Sequence, residues 1–141
     1  MNVIDKFEGN NFFLSNFYIS LVQYGDLMFT SSEAAFQSAK TLNLEIKKSF
    51  CELSPHQAKK MGRRVKLRSD WEEVKYEVMK HVVRDKFNRN NNLKCQLIDT
   101  GNAKLIEGNT WDDTEWGVCN GVGANWLGKI LMEIREEITS Q

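Results

Sequence analysis

The stretch Ser69-Asp70-Trp71-Glu72-Glu73-Val74-Lys75-Tyr76-Glu77-Val78-Met79-Lys80-His81-Val82-Val83-Arg84-Asp85-Lys86-Phe87 decides the fold class. Trp71, Val74, Val78, Met79, Val82, Val83 and Phe87 recur at three- and four-residue spacing, the period of an α-helix. Their stripe is too wide for a helix lying on a surface, so the pattern predicts a central, mostly buried helix. Ser69-Asp70-Trp71-Glu72 has the form of a capping box that would open it.

Working outward, Ser54-Pro55-His56-Gln57 is a second box, with proline at the first helical position, and predicts a helix ending near Gly62. Thr30-Ser31-Ser32-Glu33 is a third, opening an alanine-rich helix over Ala34 to Leu44. Before it, Tyr18 to Val22 and Leu27 to Thr30 flank Tyr24-Gly25-Asp26 and predict a hairpin, while Phe7 to Phe17 read as irregular. After the central helix, Asn90-Asn91-Asn92 breaks the pattern, Leu93 to Ile98 reads as a short helix, and Ala103 to Glu107 as a strand or extended segment. The last helix, Ala124 to Ile138, carries an apolar face of Leu127, Ile130, Leu131, Ile134 and Ile138. The sum is a mainly α chain, one compact domain over residues 1–141 with a small N-terminal β-hairpin.

Composition agrees. A chain of 141 residues hides roughly 70% of the surface it exposes when unfolded, enough for one core without disulfides or metals. The 19 Lys+Arg against 19 Asp+Glu argue against binding polyanions through bulk charge. Cys51, Cys95 and Cys119 are odd in number and widely spaced, which suits reduced thiols and a cytoplasmic location. No apolar run approaches the ~20 residues of a membrane span, and Met1 to Phe7 lacks the regions of a signal peptide, so no membrane partner is expected. His56 and His81 stand in no ligand spacing, and no phosphate-loop motif occurs, so neither a metal nor a cofactor is expected.

Three groups could carry chemistry. Glu33, Gln37 and Lys40 fall at i, i+4 and i+7, which puts an acid, an amide and an amine on one side of a helix. Lining a cleft, Glu33 could act as general acid or base, and Lys40, its pKa lowered by burial, as a nucleophile toward a sugar. Against that, Glu33 is the third residue of a capping box and the others could simply face water. Between Gly108 and Gly123, the loop bearing Trp111, Asp112, Asp113, Glu115 and Trp116 sets carboxylates beside a flat aromatic, suited to a planar base, or to a solvated turn with a tryptophan anchor. Lys59, Lys60, Arg63, Arg64, Lys66 and Arg68 place six cations within ten residues, where Arg63 or Arg64 could hold phosphate or the set could complement a helix C-terminus.

Several segments, in order, resemble one family. They are Phe13-Leu14-Ser15-Asn16-Phe17, Ser32-Glu33-Ala34-Ala35-Phe36-Gln37-Ser38-Ala39-Lys40, Lys60-Met61-Gly62-Arg63, Lys86-Phe87, Asp113-Thr114-Glu115-Trp116-Gly117 and Asn125-Trp126-Leu127-Gly128-Lys129-Ile130-Leu131-Met132. The chain is similar to the YbiA-like, or NADAR, proteins from about Phe7 to Arg135. The resemblance implies a mainly α fold and hydrolysis of an N-glycosidic bond. The substrate would be a ribosylamino-pyrimidine phosphate of early riboflavin synthesis, or ADP-ribose on guanine, free or within nucleic acid. It implies Glu33 and Asp113 as charged catalytic groups and Lys40 as an amine attacking the ribose anomeric carbon. It also implies substrate contacts at Asn16, Phe17, Gln37, Arg63, Trp116, Gly117 and Asn125. Where many relatives carry an acidic residue and glycines after Trp-Gly, this chain has Val118-Cys119-Asn120, which bears on substrate identity. That departure also suggests an alternative, a nucleotide-binding module for ADP-ribose without hydrolysis. A third reading, a nucleic-acid interaction protein using the basic segment, is opposed by the neutral net charge. The sequence does not fix the oligomeric state.

Overall fold

The computed structural model describes residues 2–141; Met1, where the N-terminal reading begins, lies outside the described residues. In chain order the elements are β1 (Val3–Ile4), a 3-10 helix (Gly9–Leu14), β2 (Val22–Tyr24), β3 (Leu27–Phe29), α1 (Ser32–Ser38), α2 (Leu44–Lys48), α3 (Pro55–Gly62), α4 (Trp71–Arg89), α5 (Asn91–Asp99), β4 (Lys104–Leu105), β5 (Gly108–Asn109), β6 (Val118–Cys119) and α6 (Trp126–Thr139). The architecture is mainly helical, as expected. Backbone proximity groups the chain into two compact units, Met1–Ser15 with Asn91–Gln141, and Asn16–Asn90.

Within Asn16–Asn90, α4 is the centre. Trp71, Val78, Met79, Val82, Val83 and Phe87 are buried, α1 and β2 pack on it, and α3 packs on α1. Each such side chain adds roughly 1.5–3 kcal/mol of burial, so this stripe holds the unit together. Its opening differs from expectation: the cap position falls on Asp70 rather than Ser69, and the Asp70 side chain makes no cap bond, because Arg68 holds both carboxylate oxygens, at 2.6 and 3.0 Å, while Glu72 accepts from Lys75. The hairpin forms with shorter strands, β2 pairing antiparallel with β3 so that Val22 faces Phe29. Gly25, at φ +61, lets two residues reverse the chain.

The third expected box also shifts. Ser31 caps α1, its hydroxyl accepting the Ala34 N–H at 3.0 Å, while the Thr30 hydroxyl donates to the Leu53 carbonyl. Nor does the helix run to Leu44: α1 stops at Ser38 because the Lys40 carbonyl accepts the Arg68 N–H and Asn43 caps a new helix through Ile46 N–H. The box at Ser54 is complete, with Ser54 Oγ accepting from Gln57 N and Gln57 Oε1 from Ser54 N.

In the other unit the α6 apolar face is buried as expected: Leu127, Ile130, Leu131, Ile134 and Ile138. It packs on α5 and β4. The break after α4 is a single residue, Asn90, before α5 begins. The segment Ala103 to Glu107, expected as a strand or extended, holds β4, which pairs parallel with β1, and β5 pairs parallel with β6; each is two residues long, and β1, β5 and β6 had no periodic signal to announce them. Among the described residues no helix is long and apolar enough to cross a membrane.

Candidate active site

The start of α1 explains why Glu33 is available for chemistry. With Ser31 as the cap, Glu33 is one residue short of the position that reaches back to the cap backbone, so its carboxylate runs along the helix instead. It accepts the Gln37 Nε2 amide at 2.7 Å. Both side chains are buried, at 8% and 5% exposure, and Gln37 Oε1 has no hydrogen-bond partner. Asn16 fixes this turn: its carbonyl accepts the Glu33 N–H, its Oδ1 accepts the Ser32 hydroxyl at 2.8 Å, and its Nδ2 donates to Met79 Sδ.

Lys40 lies in the turn just past the end of α1 and is half-buried. Burial pushes its amine below the ordinary lysine range; Glu33 opposes that shift, while the positive charges of Arg63, Lys59 and Lys75 add to it. The carboxylate and amide on α1 are thus followed, just past the helix end, by a lysine of lowered proton affinity that feels both Glu33 and Arg63. Phe17 stands at the edge of the group, its ring edge-on to His56 at 4.8 Å and under the Lys59 ammonium at 5.8 Å. Of the six basic residues in 59–68, Arg68 alone among the described residues pairs with a carboxylate, Asp70. The exposed Arg63 and Arg64 carry charges that no carboxylate of the described chain neutralises.

Asp113, Trp116, Gly117 and Asn125 form a second assembly, within the unit that contains α6. Asp113 Oδ1 accepts the N–H groups of Glu115 and Trp116 at 3.1 and 2.9 Å, a side-chain turn that orients the tryptophan. Trp116 meets Trp126 edge-on at 5.3 Å. Asn125, at φ +55, accepts the Glu107 N–H through Oδ1 and donates to the Leu105 carbonyl through Nδ2, both at 3.0 Å. Gly117 is obligatory: a Cβ there would stand 1.7 Å from Glu107 Oε2 and 2.2 Å from the Glu107 carbonyl. The α6 N-terminus has no side-chain cap; the carbonyls of Glu115 and Trp116 accept the N–H groups of Trp126 and Leu127 instead. In the departing segment, Cys119 is buried with its Sγ 3.8 Å from Asp112 Oδ1.

The sequence reading gave no role to three residues: Asn109 and Lys75, which it did not single out, and Lys86, which it quoted only within a family segment. Asn109 organises the loop, its Oδ1 accepting the N–H groups of Trp111 and Asp113 and its Nδ2 reaching the Asp113 carbonyl. Lys75 is buried, ion-paired to Glu72 at 2.7 Å, and contributes to the field on Lys40. Lys86 is fully buried on the α4 stripe, over the rings of Tyr18 and Phe87, and desolvation pushes its amine down to about 7. A lysine inside an apolar stripe was the available signal for it. Among the described residues no three His, Cys, Asp or Glu side chains gather where a metal ion could sit.

Comparison with known proteins places these motifs. A NADAR domain model matches residues 5–139. The chain is 38% identical to N-glycosidase YbiA of Shigella boydii, with 87% of each chain covered. It is 35% identical to Riboflavin biosynthesis protein VVA0006 of Vibrio vulnificus, covering 92% of this chain and 36% of that one. The NMR structure of Escherichia coli YbiA superimposes with a TM-score of 0.88 at 32% identity, covering 99% of this chain and 86% of the other. Matched in fold and along nearly its whole length, including the segments that carry Glu33, Lys40, Asp113 and Asn125, the chain belongs to the NADAR family.

Proposed function

We propose that this protein hydrolyses the N-glycosidic bond between a ribose phosphate or ADP-ribose and a heterocyclic base. The observation that carries the reading is the buried Glu33 and Gln37 on α1 with the half-buried Lys40 just past the helix end, its amine within the fields of Glu33 and Arg63. The names of its relatives, N-glycosidases and a riboflavin biosynthesis protein, support the same reaction and a small ribosylated substrate.

In this mechanism the neutral Lys40 amine attacks the anomeric carbon. The C–N bond to the base breaks, and the base leaves with its electron pair and takes a proton from the protein side. The Glu33 carboxylate faces the positive charge that develops on the sugar, takes the proton that the Lys40 nitrogen loses on bonding to carbon, and passes it to the departing base. The sugar ring opens to an iminium on Lys40, water adds to its carbon, and cleavage of that C–N bond frees the sugar and restores the amine. Arg63 binds the phosphate. Asn16, Phe17 and Gln37 are proposed as substrate contacts beside Glu33, and, on the family resemblance alone, Asp113 is proposed as a second catalytic charge and Trp116, Gly117 and Asn125 as substrate contacts, Trp116 as a stacking face. Three free thiols support a cytoplasmic setting.

The experiment is incubation of the purified protein with a ribosylamino-pyrimidine phosphate and, separately, an ADP-ribosylated guanine oligonucleotide, followed by mass spectrometry. Release of free base and sugar from one of them is expected and identifies the substrate class. Micromolar binding of intact ligand without release would replace the reading by a nucleotide-binding module.

A further inference from the structure

Gly62 is a glycine that its own helix does not require. Gly62 closes α3 with no left-handed backbone angle, and alanine is the better helix former there. What excludes a side chain is Gln37: a Cβ on Gly62 would stand 1.8 Å from Gln37 Oε1, 2.7 Å from its Cδ and 3.3 Å from its Cβ. The carboxamide thus occupies the space a methyl group would take.

The amide cannot give way by turning over. A carboxylate only accepts, so the nitrogen must face Glu33 Oε2, 2.7 Å away, and the oxygen must face Gly62. That oxygen is buried without a hydrogen-bond partner, in a side chain 5% exposed. Leaving one end of a buried amide unsatisfied is unfavourable, and a fold selected for stability alone would have no reason to keep it. The arrangement makes sense if the other end is needed, as the donor that orients and charges the Glu33 carboxylate.

The geometry points to Gly62 as a positioning residue: its bare Cα seats the Gln37 carboxamide against α3, and the seated amide aims the Glu33 carboxylate at the substrate. The inference rests on the reading of Glu33 given under the proposed function. Gly62 touches no reacting atom; it acts through Gln37, and Gln37 acts through the carboxylate. A methyl group on Gly62 displaces the amide, removes a donor from the ionised carboxyl and makes that carboxyl easier to protonate.

The test is a set of variants, Gly62→Ala, Gln37→Ala, the double variant, and Gln37→Met, which fills the space without donating. Hydrolysis of a ribosylamino-pyrimidine phosphate and of an ADP-ribosylated guanine oligonucleotide is followed as a function of pH. Carbon-13 NMR titration of the Glu33 carboxyl supplies a readout independent of turnover. Gly62→Ala is expected to lower kcat about 10-fold or more with KM within about threefold, and to move the acid limb of the profile and the Glu33 titration to higher pH. Gln37→Ala and Gln37→Met should do the same, and Gly62→Ala should add nothing once Gln37 is alanine. An unchanged Glu33 titration in Gln37→Met, or a Gly62→Ala loss that persists undiminished in the Gln37→Ala background, overturns the inference. If Gly62→Ala fails to fold, the two Gln37 variants decide it. Full activity of Glu33→Gln would instead remove the proposed function, so the two failures are distinguishable.

Discussion

The Ser31 hydroxyl accepts the Ala34 N–H at 3.0 Å, and that single bond sets the phase of α1. Had Thr30 been the cap, Glu33 would have been spent on the helix end; instead its carboxylate meets Gln37 one turn on. Glu33→Gln is therefore expected to lower turnover at least ~10²-fold, while thermal unfolding shifts by no more than about 1 kcal/mol. Ser31→Ala should do the reverse in kind, costing about 1 kcal/mol of stability. Equal activity of Glu33→Gln and wild type would take the carboxylate out of the mechanism.

Asp113→Asn separates charge from shape. Asparagine keeps the Oδ1 that accepts the Glu115 and Trp116 N–H groups, so the turn survives while the negative charge goes. If Asp113 acts as a charge, activity drops about 10²-fold with the melting temperature nearly unchanged. If it serves the turn alone, Asp113→Asn keeps activity and Asp113→Ala loses stability.

Lys40 gives a pH dependence with a definite sign. Its amine is held below the ordinary lysine range, and a nucleophile must be neutral, so activity should rise with pH and level off before free lysine would titrate. Arg63 contributes to that lowering. Arg63→Gln should move the rise to higher pH as well as weaken phosphate binding. Borohydride added during turnover should trap a sugar adduct on Lys40, located by peptide mass spectrometry; trapping on another lysine would reassign the nucleophile.

Lys86 makes a stability prediction. Its amine sits at about 7 in the folded protein and near 10.5 when unfolded. Between these values the unfolded chain holds the proton and the folded chain does not, so stability rises with pH from about 7 toward 10, by at most about 1.4 kcal/mol per pH unit from this group. Below about 7 the charge is forced inside and the contribution is lost. Urea unfolding at pH 6.5, 8 and 9.5 should show the rise, and Lys86→Met should flatten it.

Asn125→Ala removes two bonds at once and leaves the Glu107 N–H and Leu105 carbonyl without their side-chain partners. A loss of about 2 kcal/mol or more is expected in denaturant melts. A loss below about 0.5 kcal/mol would show that these bonds do not hold the segment.

What the sequence reveals is what is local. The α3 box, the α6 stripe and the α4 core depend on residues three or four apart, and all three are legible. The Glu33–Gln37 pair is legible for the same reason, whereas Lys40, read from the same period, lies beyond the helix end. The start of α4 is not, since Asp70 has the composition of a cap but is held by Arg68. The early stop of α1 depends on a carbonyl bonded to Arg68 N–H, 28 residues away, and the seat of Gln37 on Gly62 depends on two helices meeting. The strand at Lys104–Leu105 is legible, but its partner β1 and the pair β5–β6 are too short for alternation to register.

The N-terminus of α6 closes on the carbonyls of Glu115 and Trp116, and Asn125 N–H on that of Gly117. Backbone is bonded to backbone there, so the register depends less on the half-exposed Val118 side chain than on the number of residues between Asp113 and Trp126. A one-residue deletion in that interval would slip every bond out of register and unseat tryptophan, glycine and helix together. The segment behaves like a ruler, whose length matters more than its markings.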